Sequence, residues 1–118
     1  MRKINFFIAS FVFSFCAQAQ DYTKFQMNRA AMFSTYIAEQ MDLNEADQGF
    51  VYDVMLARVY NSNARIKEEN LTVREDKQAV YKAEYKNAQQ KLADKFGPKQ
   101  ARKMMTLSNE ARKNAENN

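Results

Sequence analysis

The stretch "MDLNEADQGFVYDVML" (Met41–Leu56) crowds four carboxylates and an asparagine around a run of aromatic and aliphatic residues. Three readings compete for it: a calcium loop, a catalytic acid cluster, or the first turns of a helix. A calcium loop starting at Asp42 and Asn44 would carry Ala46 at its fifth position. Asp47 would stand where the sharp turn needs glycine, and Asp53 would take the place of the bidentate glutamate. The catalytic reading lacks a neighbouring base or nucleophile, and the chain has no histidine. The helix start needs nothing more: Asn44 can cap, and Glu45 and Asp47 stand at the positive end of the helix dipole. Gly49 then costs about 1 kcal/mol of helix propensity relative to alanine. Close packing or a slight bend before Phe50–Leu56 is its expected use.

The same kind of start recurs along the chain. Thr23 with Gln26, Thr72 with Glu75, and Gly97 with Gln100 repeat the pattern of a cap followed three residues later by an acid or amide. Gly97-Pro98 places a stop and a start side by side. Between the breaks, apolar residues return every three or four positions, as in Phe25, Met32, Phe33, Tyr36, Ile37 and Met41. The spacing predicts an all-α chain of four antiparallel helices near 23–41, 45–69, 73–95 and 98–115. Linkers of two or three residues favour antiparallel neighbours. From residue 70 onward few apolar side chains exceed alanine in size, so an open, hairpin-like array is expected, with a second copy covering its apolar faces.

The first stretch reads differently. Arg2 and Lys3 precede an apolar run from Ile4 to Cys16, and Ala17-Gln18-Ala19 offers small residues at the cleavage positions. The run is shorter than the roughly 20 residues needed to span a bilayer. Residues 1–19 are therefore expected to be a cleaved signal peptide, and 20–118 a single helical domain of an exported protein, periplasmic in a Gram-negative host. Bulky Phe15 before Cys16 speaks against lipid attachment. Beyond Cys16 there is no cysteine, so disulfides are excluded from the domain.

Charge is uneven. Residues 20–69 carry five basic and eight acidic side chains, and residues 70–118 carry eleven and six. An exported chain rarely meets nucleic acid, so the basic half points to anionic envelope surfaces, acidic protein segments or a second copy. No integral membrane segment is expected in the mature chain.

Leu71-Thr72-Val73-Arg74-Glu75 and, more loosely, Leu43-Asn44-Glu45-Ala46-Asp47, taken with the leader, the size and the helical pattern, resemble the LTxxQ motifs of the Spy/CpxP-like family of periplasmic proteins. Glu75 and Asp47 stand where that motif has glutamine. The resemblance implies a dimeric antiparallel four-helix cradle that binds unfolded or misfolded envelope proteins without ATP. Independently, a client surface needs adaptable apolar groups beside charges. The candidates are Phe50, Tyr52, Tyr60, Tyr81, Tyr85, Met104 and Met105, with Lys82 and Lys86 bordering them. The competing expectation is an adaptor for one envelope partner, such as a stress-sensor domain.

An enzyme is not expected: there is no histidine, no thiol in the domain, no nucleophile elbow and no phosphate loop. No cofactor is expected either. Zinc, nickel and cobalt sites lean on histidine and cysteine. Cuprous ion could use methionine, but of Met27, Met32, Met41, Met55, Met104 and Met105 only the last two are neighbours. No metal site is expected.

Overall fold

Thr23 opens the first helix by the reciprocal bonds its sequence promises. The computed structural model, which describes residues 22–117, has the Gln26 amide donating to Thr23 Oγ1 at 3.0 Å. The Thr23 amide donates back to Gln26 Oε1 at 3.0 Å. Helix α1 (Lys24–Met41) ends where Asp42 turns left-handed at φ 55°. The Leu43 amide then reaches back to the Ala38 carbonyl at 3.0 Å, so Leu43 folds against the core. Asn44 follows at once and accepts the Asp47 amide at 2.8 Å, starting α2 (Glu45–Glu68). Leu43 thus closes α1 while the next residue, Asn44, opens α2. The expected signal peptide lies outside the described residues.

The second joint departs from the expected pattern. Asn70 is left-handed at φ 54°. Its amide bonds Lys67 O at 3.2 Å, and the Leu71 amide bonds Ile66 O at 3.0 Å. The chain then needs one more residue than the first joint before it re-enters a helix. Val73 is therefore the cap residue of α3 (Arg74–Phe96), with no side-chain cap bond. Thr72 and Glu75 do not form the expected capping box, because the turn after Leu71 moves the helix start past Thr72. Glu75 and Asp76 still place charge in the first turn. At the third joint Gly97 (φ 91°) joins α3 directly to α4 (Pro98–Glu116). Its amide is bonded to Ala93 O at 2.8 Å, and no side-chain cap bond forms there, so Gln100 does not reach back as expected.

Each helix packs against two others: α1 on α2, α2 on α3, α3 on α4, and α4 back on α1. The result is a closed, compact four-helix bundle rather than the expected open array. Two features of the sequence close it. Ala30, Ala88, Ala101 and Ala111 are buried and let helix axes approach, while Met104 and Met105 fill the interior together with Ile37, Val51, Met55 and Leu92. Counting only side chains larger than alanine understates such a core. Among the described residues, no helix is long and apolar enough to cross a membrane.

Gly49 does not serve close packing, because a Cβ there would meet nothing within 4 Å. Its position inside α2 is an ordinary helical one with open space around it. Gly49→Ala is expected to raise stability by about 1 kcal/mol. The measurement is the urea midpoint at unchanged slope, and a lower midpoint would contradict it.

Candidate functional site

Arg58 occupies an unusual place. It belongs to α2, three and four residues after the core positions Met55 and Val54, so the helix turns it toward the interior. There its guanidinium touches the other three helices. It stacks over the Phe33 ring of α1 at 5.4 Å and over the Tyr85 ring of α3 at 5.1 Å. Its Nη1 donates to Ser108 Oγ of α4 at 3.3 Å and contacts Met55 Sδ at 3.9 Å. Ser108 in turn donates to Met105 O at 2.7 Å. Asn109 Nδ2 approaches the Tyr85 hydroxyl at 3.5 Å. Among the described residues no carboxylate pairs with Arg58, and its Nε and Nη2 have no protein acceptor.

Below Arg58 the bundle opens. A cavity of about 610 Å³ lies at the end where α1 and α3 begin and α2 and α4 finish. Phe25, Phe33, Val59 and Tyr81 line its apolar walls, and Arg29, Arg58 and the exposed Arg112 line it too. Arg29 stacks on Phe33 from 5.5 Å. Burial holds Arg58 below the ordinary guanidinium range, and the like charges of Arg112 and Arg29 push the same way against an opposing contribution from Tyr85. Glu116 is the carboxylate lining the cavity. Glu84, almost fully buried, is held instead by Arg65 at 3.5 Å.

The exposed apolar side chains gather at the same end. Phe25 (65%), Val73 (51%), Tyr81 (49%) and Met27 (38%) are the large hydrophobic groups left open to solvent among the described residues. Toward the opposite end Phe50 meets Phe96 edge-on at 5.7 Å and Lys95 lies over both rings, beside a shallow groove of about 830 Å³ that Phe50, Tyr52 and Lys95 line with Glu45 and Asp53.

The expected client-contact residues are therefore not one surface. Tyr81 stands at the cavity mouth, Tyr85 turns inward beneath Arg58, and Lys82 and Lys86 are exposed on the flank of α3. Phe50 is at the far end, Tyr52 packs against the core, and Tyr60 meets Tyr22 edge-on at 5.2 Å. Met104 and Met105 are each 1% exposed and belong to the core, because their face of α4 is the one that closes the bundle. They cannot contact a client in this fold. The three arginines were not among the expected residues. The available signal was a charge at position 58 on the stripe of Val51, Val54 and Met55, where the helical period calls for an apolar side chain.

Among the described residues no group of three or more metal-ligating side chains comes together. Compared with protein-family models, curated proteins and solved structures, the chain matches none.

Proposed function

We propose that the protein is an exported, ATP-independent chaperone-like module that holds unfolded or misfolded envelope polypeptides at the open end of its bundle. The observation that carries this reading is the gathering of Phe25, Met27, Val73 and Tyr81 at the end that also holds the cationic cavity. Exposed aromatic and methionine side chains adapt to varied apolar sequences. Lys82 and Lys86, exposed beside Tyr81, add attraction for acidic segments without fixing a geometry. The leader and the Leu71–Glu75 motif support export and the family likeness. The contact surface is the bundle end rather than a concave cradle, and of the nine residues expected there it keeps Tyr81, Lys82 and Lys86. A homodimer is part of the proposal; a mass of one chain by light scattering at micromolar protein removes the dimer.

The test is suppression of light scattering by an unrelated, chemically denatured protein at near-equal molar ratio. Suppression by the native protein, reduced several-fold by Phe25→Ser with Tyr81→Ser, is the expected result. Unchanged client scattering defeats the proposal. Saturable binding to a single envelope protein without generic suppression replaces it with the adaptor reading.

A further inference from the structure

Three arginines lining one partly apolar cavity, Arg58 and Arg29 half-buried and Arg112 exposed, are poorly explained by fold stability. Drawing a cation even partly out of water costs free energy unless a counter-charge meets it, and half-buried Arg58 has none among the described residues. Its ring contacts and Ser108 fix its plane but leave its charge uncompensated. Arg29 and Arg112 add to the positive potential instead of relieving it, and Glu116 supplies one negative charge against three positive ones. The nearby buried carboxylate, Glu84, is engaged with Arg65.

We propose that Arg29, Arg58 and Arg112 bind the anionic head of a small amphipathic molecule, a carboxylate or phosphate on an apolar tail that lies against Phe25, Phe33 and Tyr81. Guanidinium groups suit such a head because their planar forks donate paired hydrogen bonds to its oxygens. Stacking on Phe33 and Tyr85 holds the Arg58 plane in advance, so less entropy is lost on binding. The aromatic walls favour a tail over a bare ion. The volume, about 610 Å³, lies within the range of small-molecule sites. Three cations sharing one cavity, rather than following a line along the surface, suit a single head group better than a polyanion backbone. This ligand site shares Phe25 and Tyr81 with the client-binding reading but does not rest on it, and it survives a negative aggregation assay.

The experiment is titration calorimetry of the purified protein with decanoate and decyl phosphate below their micellar concentrations. Acetate and inorganic phosphate serve as tail-less probes, and decyl maltoside serves as the uncharged one. Saturable binding of decanoate or decyl phosphate, at least 10-fold tighter than the corresponding tail-less and uncharged probes, is expected; the tighter of the two identifies the head. Arg29→Gln and Arg112→Gln should each weaken it about 10-fold, and Arg58→Met should abolish it, with thermal melting confirming that each variant is folded. Equal binding of decyl maltoside overturns the role of the arginines. Equal binding of inorganic phosphate overturns the role of the apolar walls. No binding by either anion, or unchanged affinity in folded Arg29→Gln and Arg112→Gln, overturns the proposal as a whole.

Discussion

Leu92→Ala is expected to lower the unfolding free energy by about 2–5 kcal/mol. Leu92 is fully buried on α3 and belongs to the cluster in which Ile37, Met55, Met104 and Met105 meet. Removing it loses the transfer energy of the side chain and leaves a cavity that four rigid helices cannot readily collapse. A single domain has only about 5–15 kcal/mol in total, so the variant should sit close to the edge of folding. Met104→Ala should cost a similar amount, since that side chain is as enclosed as Leu92. Equilibrium urea unfolding reads both, with the exposed Lys82→Ala as a control expected within about 0.5 kcal/mol of the parent. If Met104→Ala left stability intact but impaired client suppression, the methionines would return to the contact surface and the burial of α4 would be wrong.

Arg58→Met is expected to act in the opposite direction on stability, raising it by about 1–2 kcal/mol. Methionine keeps most of the length of the apolar stem, which packs between Phe33 and Tyr85, and removes the desolvated charge. The losses are the bond to Ser108 and two cation–π contacts, each worth about 0.5–2 kcal/mol. The gains are relief from partly desolvating an unpaired cation and from repulsion by Arg112 and Arg29. Guanidinium stays protonated at all ordinary pH, so the penalty is present throughout and the gain should not vary between roughly pH 5 and 9. Urea midpoints at several pH values check this. A loss of several kcal/mol would instead identify Arg58 as a structural keystone, held there for stability alone.

These two substitutions separate what local chemistry writes from what only packing arranges. The helices and their joints were legible because each depends on groups a few residues apart. Thr23 with Gln26, Asn44 with the Asp47 amide, and Gly97 before Pro98 form the expected breaks, and the observed helices begin and end within about a residue of the expected bounds. The exception, Thr72, shows the limit of the same logic. Its pattern satisfies the capping rule, but the left-handed Asn70 turn consumes the residues beside it. A helix start depends on how the preceding helix ends as well as on its own cap.

By itself, the sequence determined four helices, the places where they break and the charge bias of the second half, because these follow from backbone hydrogen bonding and from periodicity along one chain. Only the tertiary structure decided that α4 returns to α1 and closes the bundle, that Met104 and Met105 lie inside, and that Phe25 and Tyr81 lie outside at one end. It also decided the meeting of Arg29, Arg58 and Arg112, which are far apart in the chain and share no local motif. The physical reason is that helix propensity says nothing about which apolar faces will pair. That choice is made by fit between side chains of different helices, where an alanine permits approach, a methionine fills the gap, and an arginine on the inner stripe is left to find its partner across the bundle.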